Sequence, residues 1–307
     1  MHGNEQYDVL IAGGGPAGMS CAIWCEKLGL RALIVEKRAE MGGQLLRVYG
    51  EITDYAGLSA RDGRDLRDRI ESGLSVDRVY RSEIKEIDKH LRVQTTEGDR
   101  LAASVIVIAT GVRRRKLGVA GEETFEGKGV LGSGVQSRDL VAGKRVAIIG
   151  GGDAALENAA ILCKTAAHVA VVHRRSEFSA REEFVKAAEA AENVEFLMDA
   201  TVWEIVGNQE VTGIRVKRNS PAVSSVLDVD FVLVRIGVEP NSGAFRSIVD
   251  VDDAGYIRVN GRCETNVRGI YAIGDAADTR SPTIATAVGT GAIAAKNIFE
   301  YLKGRSA

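Results

Sequence analysis

The 307-residue sequence predicts an α/β fold made of two Rossmann-like units. Three observations predict it. A short apolar run, a glycine cluster, a helical stretch and a second apolar run occur in that order near the N-terminus, and the same order recurs about 137 positions later. Glycine, at 35 residues, is in excess of average usage, and much of the excess falls in short clusters such as Gly13-Gly14-Gly15 and Gly150-Gly151-Gly152. The apolar runs are continuous rather than alternating, as in parallel strands buried on both faces.

Each element follows from its local pattern. Tyr7 to Ala12 reads as the first strand, Ala17 to Leu28 as the helix behind the glycine loop, and Arg31 to Glu36 as the second strand after the break at Gly29. Val105 to Ala109 is a further buried-type strand, ending in Ala109-Thr110-Gly111. The charged stretch Arg113-Arg114-Arg115-Lys116 behind it is a candidate hinge or, by its charge, a dock for an acidic partner. The second set comprises a strand from Arg145 to Ile149, the loop Gly150 to Gly152, a helix from about Ala154 and a strand from Val169 to His173. Phe231 to Ile236 closes it. Gly269 to Asp275 reads as a strand that delivers an acid to a site, and Thr283 to Leu302 as the last helix.

Composition excludes several classes. Forty Lys and Arg against 42 Asp and Glu leave a formal charge of −2, so no global basic field recruits nucleic acid or an anionic membrane. The first six residues lack both a basic and an apolar region, and no stretch reaches the roughly 18 apolar residues of a spanning helix. A cytoplasmic protein without membrane association is the expectation. The four cysteines, Cys21, Cys25, Cys163 and Cys263, form neither a Cys-x-x-Cys pair nor a zinc-like spacing, so no metal site is expected.

Gly13-x-Gly15-x-x-Gly18 lies between a strand and a helix, the setting in which this motif binds a dinucleotide. Its glycines allow a sharp turn and close approach to a pyrophosphate, which the N–H groups of the helix start then meet. Glu36, 23 positions after Gly13, is placed to accept hydrogen bonds from an adenosine ribose. Gly150-x-Gly152-x-x-Ala155 repeats the setting. The strand after it ends in His173-Arg174-Arg175 rather than an acid, so two guanidinium groups await a 2′-phosphate and no carboxylate awaits a ribose hydroxyl. NADPH is therefore expected over NADH.

Taken in order, Gly13-Gly14-Gly15-Pro16-Ala17-Gly18, Glu36, Gly42-Gly43-Gln44-Leu45, Ala109-Thr110-Gly111 and Gly274-Asp275 make the chain resemble the low-molecular-weight thioredoxin reductases. It equally resembles the thioredoxin-reductase-like ferredoxin/flavodoxin–NADP reductases. The resemblance spans nearly the whole chain and implies an FAD domain, residues 1–112 plus 241–307, interrupted by an NAD(P)H domain, residues 113–240. It implies that FAD is held by Gly13, Gly15, Pro16, Ala17, Gly18, Glu36, Lys37, Gly43, Gln44, Leu45, Ala109, Thr110 and Gly111, with Gly274, Asp275, Thr283 and Ile284 completing the set. NADP falls to Gly150, Gly152, Asp153, Ala154, Ala155, His173, Arg174 and Arg175. The family carries a further arginine directly after the phenylalanine of that stretch, whereas Phe178-Ser179-Ala180-Arg181 stands here, leaving Arg181 as a substitute from a neighbouring turn. A homodimer is implied as well.

In thioredoxin reductases a redox Cys-x-x-Cys precedes the second glycine loop, and counting back from that loop places Ser133 and Gln136 at those positions. Neither side chain forms the disulfide that such an exchange requires. The i,i+4 pair Cys21 and Cys25 is expected to be buried against the sheet. The leading expectation is an FAD-dependent NAD(P)H oxidoreductase in which hydride passes from nicotinamide C4 to flavin N5, with no catalytic side-chain acid or base. Electrons then leave to an acceptor, ferredoxin or flavodoxin by resemblance. The alternatives are a quinone, free flavin or oxygen as acceptor, and a flavin-binding redox sensor or scaffold without steady turnover.

Overall fold

The computed structural model describes residues 6–88, 90–219, 222–277 and 281–304. The N-terminal stretch read above for a leader lies almost wholly outside them. The chain divides into two compact units, Met1–Arg113 with Glu239–Ala307, and Arg114–Val238.

In chain order, the first unit begins with β1 (Gln6–Ala12), α1 (Pro16–Lys27), β2 (Ala32–Glu36), α2 (Gly63–Glu71), β3 (Asp77–Tyr80), β4 (Ile84–Ile87), β5 (Arg92–Thr95) and β6 (Arg100–Ile108). After β7 (Val112–Arg114) come β8 (Arg145–Ile149), α3 (Asp153–Leu162), β9 (His168–Val172), α4 (Glu182–Glu189) and β10 (Val194–Leu197). A meander follows, β11 (Ala200–Gly207), β12 (Val211–Asn219) and β13 (Ala222–Asp228), and then β14 (Phe231–Val234). The chain returns through β15 (Val238–Pro240), which pairs with β7, and ends with β16 (Ile270–Ala272) and α5 (Ile284–Lys303).

The first unit has the sheet order β3-β2-β1-β6-β5-β4, with β16 on β6. Pairing is parallel from β3 through β6 and to β16, and antiparallel through the β4–β5 hairpin. Alternate residues of β1 enter opposite cores: Val9 and Ile11 face the cluster that includes α1 and α5, Leu10 and Ala12 the other face. That two-sided burial explains the unbroken apolar run. β6 starts at Arg100 rather than Val105, because its first half alternates exposed and buried residues against β5 while its second half is buried throughout. Pro16 at the first turn of α1 gives up only an N–H that has no acceptor inside the helix. Gly291 of α5 crosses α1 so closely that a Cβ there would lie 2.5 Å from Ala17 O.

The second unit pairs a parallel sheet, β10-β9-β8-β14, with the antiparallel meander β11-β12-β13. Val146, Ile148, Val169 and Val171 pack on the α3 side, and Ala147, Ile149, Ala170 and Val172 on the other. The fold is thus α/β with two Rossmann-like units. The Phe231 strand stops at Val234, and the Gly269–Asp275 segment is strand only over Ile270–Ala272 before a 3-10 turn at Gly274–Ala276. Among the described residues no helix is long and apolar enough to cross a membrane, and no group of His, Cys, Asp and Glu is arranged to hold a metal ion.

The basic run expected as a hinge or dock is locally engaged. Arg113 Nε donates to Glu239 at 2.7 Å, Arg114 donates to Gly132 O, Arg115 Nε donates to Val238 O at 2.8 Å, and Lys116 Nζ donates to Glu123 at 2.6 Å. Its cations tie down their own surroundings instead of standing free.

Candidate dinucleotide sites

The first unit contains a cavity of about 550 Å³ at the C-terminal ends of β1, β2, β6 and β16. This is the edge at which open α/β sheets bind ligands, and the volume suits a small-molecule cofactor. The glycine loop forms its floor. Gly13 takes φ +108° and lies so close to the next strand that a Cβ would sit 2.4 Å from Ala109 O. Gly18 lies against the loop itself, its hypothetical Cβ 2.0 Å from Gly13 O, so it serves loop–helix packing and does not line the cavity. Gly15 differs from both: the nearest atom to its hypothetical Cβ is Gly43 Cα at 4.0 Å, so a side chain there would fill the cavity.

Glu36 is 5% exposed at the end of β2. Its Oε2 accepts the Gly14 N–H at 2.7 Å and its Oε1 the Arg38 N–H at 2.9 Å, so the carboxylate braces the glycine loop while lining the cavity. Every other flavin-site residue read from the sequence also lines it: Pro16 and Ala17 at the α1 start, Lys37, then Gly43, Gln44 and Leu45 in the 3-10 turn Gly43–Arg47. Ala109, Thr110 and Gly111, Gly274 and Asp275, and Thr283 and Ile284 complete the wall. Gln44 Nε2 is bound to Val112 O at 2.5 Å, and Thr110 Oγ1 to Asn241 O at 2.9 Å, so those two side chains are already committed. Lys37 pairs with Glu83 at 3.2 Å. Thr283 caps α5 by accepting the Thr286 N–H at 3.1 Å, which leaves the first N–H groups of that helix for a ligand.

Sequence reasoning missed several lining residues. Arg38 and Arg47 bring guanidinium groups to the wall, Ser82 a hydroxyl without a hydrogen-bond partner among the described residues, and Asn241 to Phe245 a return segment. Arg38, two places beyond Glu36, was discoverable from spacing; the others depend on tertiary packing.

Asp275 is held on the 3-10 turn, and no described residue donates a hydrogen bond to its carboxylate. Burial pushes its pKa up from the ordinary value. A carboxylate shifted upward adds stability that is complete below the unfolded pKa, near pH 4, and lost as pH rises through the folded value. Asp275→Asn is accordingly expected to raise the melting temperature of the FAD-free protein at neutral pH, leave it unchanged below about pH 4, and weaken FAD binding. Thermal melts across pH check the first two effects and flavin titration the third; a neutral-pH melting temperature equal to that of the native protein would show that burial does not penalise the charged carboxylate.

The second unit repeats the loop. Gly150 takes φ +147°, with a hypothetical Cβ 2.1 Å from Arg235 O, whereas the Gly152 position is open. His173 is buried, its Nε2 3.0 Å from Glu177 O, and its ring blocks any side chain at Gly151. Burial, with Arg175 and Arg174 nearby, holds its pKa below the usual histidine value. His173 is thus a loop support rather than a lining group. Arg174 and Arg175 line an open recess of about 470 Å³ with Ser176, Phe178 and Ser179, and neither guanidinium has an ion pair or hydrogen bond to a described residue. Two free guanidinium groups beside the Ser176 hydroxyl are a fitting donor set for a phosphate, whereas the Ser179 O–H is already donated to Gly151 O at 3.2 Å. Arg181 is elsewhere: Asp153 Oδ2 accepts its Nε–H at 2.8 Å and Glu183 holds its Nη1 at 2.9 Å. Asp153 and Ala154 open α3, and Ala155 is buried beneath it.

The cysteines carry no exposed redox pair. Among the described residues all four are free, with Cys21, Cys25 and Cys263 buried in the first unit. A hydrogen bond with Cys25 and burial raise the Cys21 thiol pKa well above its usual value, and burial pushes Cys263 up to about 11. Both remain thiols rather than thiolates at neutral pH. Ser133 and Gln136 form a turn of their own, the Gln136 N–H donating to Ser133 Oγ at 3.4 Å.

Two glycine loops, each at the carboxyl edge of its own parallel sheet, define a flavoprotein of the class that binds two dinucleotides. Residues 7–291 match the family model described as pyridine nucleotide-disulphide oxidoreductase, and the chain belongs to that family. It is 35% identical over 303 residues to a thioredoxin reductase of Listeria monocytogenes, covering 97% of this chain and 94% of that protein. It is 33% identical over 304 residues to a component of the alkyl hydroperoxide reductase of Staphylococcus aureus, covering 97% of this chain but only 59% of that longer protein. Among solved structures, the thioredoxin reductase of Lactococcus lactis superposes with a TM-score of 0.86 at 29% identity, covering 97% of this chain and 99% of the other. That of T. acidophilum gives 0.84 at 28%, with the same coverage. The cofactors of this thioredoxin-reductase-like family are FAD and NADPH, as the sequence leads one to expect.

Proposed function

We propose that the protein is an NADPH-dependent flavin oxidoreductase whose electron acceptor lies outside the chain, with no internal dithiol step. The observation that carries this reading is the pair Ser133 and Gln136 where the thioredoxin reductases it resembles hold their cysteines. The burial and raised pKa values of Cys21 and Cys263 support it, since neither thiol is poised to take over. When bound, FAD supplies the redox chemistry between NADPH and the acceptor. The chain's residues bind and orient. Glu36 would offer its remaining lone pairs to the adenosine ribose, the α1 and α5 starts would supply N–H groups to the pyrophosphate and the flavin, and Arg174 and Arg175 would hold the 2′-phosphate. A homodimer in the cytoplasm belongs to the same reading.

A ferredoxin or flavodoxin is the acceptor class suggested by the resemblance. The local pairing of Arg113, Arg115 and Lys116 favours a second reading, a small acceptor such as a quinone, free flavin or oxygen, because an acidic carrier finds no unpaired basic run there. Anaerobic mixing of the FAD-bound protein with NADPH or NADH, followed by ferredoxin, flavodoxin, a quinone or thioredoxin, tests both. Flavin bleaching by NADPH and reoxidation by one of the first three is expected, with no thioredoxin-dependent NADPH consumption. Sustained turnover with thioredoxin would overturn the proposal.

A further inference from the structure

The recess that carries Arg174 and Arg175 also carries a carboxylate, Asp199. Its position is set by the sheet. β10 runs parallel to β9, the His173 N–H donates to Leu197 O at 2.9 Å and the Ala200 N–H to His173 O at 2.9 Å, so the turn after β10 lies beside the end of β9. Asp199 occupies that turn with φ +51°, a left-handed conformation to which Asp and Asn are better suited than most residues. Its N–H donates to Arg175 O at 3.2 Å, pinning it to the arginine pair by the backbone. No ion pair joins its carboxylate to either guanidinium. The formal charges around the recess therefore cancel, Arg174 and Arg175 against Glu177 and Asp199. Arg181, whose guanidinium is spent on Asp153 and Glu183, does not tip that balance.

Resting on the NADPH reading above, we propose that Asp199 is a specificity-determining residue that limits the preference for the 2′-phosphorylated nucleotide. A phosphate dianion beside Arg174 and Arg175 meets the Asp199 carboxylate as a like charge, which costs affinity. A ribose 2′-hydroxyl meets the same carboxylate as an acceptor, which preserves affinity for NADH. Glu177 does not share the role to the same degree: its side chain is exposed and is not pinned to the arginine pair by its own backbone. The recess is thereby built for both nucleotides, with NADPH ahead by a margin that Asp199 holds down.

The test compares the FAD-bound native protein with Asp199→Asn, which suits the same backbone conformation and removes only the charge, and with Asp199→Glu, which keeps it. Equilibrium binding of 2′,5′-ADP and 5′-AMP is measured beside the concentration dependence of flavin reduction by NADPH and NADH. At low ionic strength Asp199→Asn is expected to bind 2′,5′-ADP and NADPH about three- to tenfold tighter, from the removal of one like charge at a partly solvated site. 5′-AMP and NADH should not gain, and the advantage should shrink as salt is raised. An equal change for both nucleotides, or none, overturns the role of Asp199. Arg174→Gln and Arg175→Gln separate the two levels. If they weaken NADPH while Asp199→Asn does nothing, the inference alone falls. If they leave NADPH untouched and the native protein does not distinguish 2′,5′-ADP from 5′-AMP, the recess is not the phosphate site and the NADPH reading falls with it.

Discussion

Gly15→Val is expected to leave the protein folded and to lower its affinity for FAD by at least roughly a hundredfold, about 2.7 kcal/mol. Gly15 has φ −74°, which valine adopts without strain, and its hypothetical Cβ has no neighbour nearer than 4.0 Å. The added methyl groups therefore meet empty cavity in the FAD-free protein and the cofactor's own volume in the bound one. Gly18→Ala, three places on, should do the reverse. Its Cβ would fall 2.0 Å from the carbonyl oxygen of Gly13, a main-chain atom fixed between β1 and α1, so the cost of overpacking, on the order of 1–3 kcal/mol or more, falls on folding itself. Flavin absorbance after purification and a thermal melt of each variant distinguish the two. A Gly15→Val protein that retains stoichiometric flavin would show that the loop does not cradle the cofactor.

These two glycines also show how far the sequence could be read. The motif Gly13-x-Gly15-x-x-Gly18 announces a nucleotide loop because its spacing is local, set by one strand end and one helix start. Which glycine makes room for the ligand and which for the helix depends on where Gly43 and Gly13 O lie, and no pattern states that. The parallel strands were legible for the same reason: β1, β2, β8 and β9 are buried on both faces and appear as unbroken apolar runs. The hairpin β4–β5 and the meander β11 to β13 have mixed exposure and escaped notice, as did the first half of β6. His173-Arg174-Arg175 reads as a unit in the sequence, yet its members separate: the histidine turns inward to brace Gly151 and only the arginines line the recess. Asp199 lies 24 positions beyond Arg175 and enters only because β10 pairs with β9. The fate of Arg181 was equally hidden, since Asp153, the partner that holds its guanidinium, is expected from the sequence at the NADP site itself.

Glu36→Ala is expected to damage folding and cofactor binding together, which separates it from Gly15→Val. The side chain is 5% exposed and accepts two main-chain N–H groups, from Gly14 at 2.7 Å and from Arg38 at 2.9 Å. Hydrogen bonds to a charged acceptor contribute about 1.5–3 kcal/mol each, and the Gly14 N–H, buried under the loop, would be left without a partner. Allowing for incomplete additivity, the FAD-free protein should lose about 3–5 kcal/mol of stability. FAD affinity should fall as well, by on the order of a hundredfold, because the same carboxylate supplies the ribose acceptor and holds the loop in shape. Glu36→Gln gives the finer reading. Its amide oxygen replaces one acceptor, but its NH₂ group faces an N–H that it cannot serve, so roughly half of the stability loss should remain. Urea denaturation of the FAD-free forms and flavin titration measure the two losses separately. Should Glu36→Gln match the native protein in both, Glu36 would be a passive filler of the β2 end, and the brace between the first glycine loop and its cofactor would have to be sought in the α1 start alone.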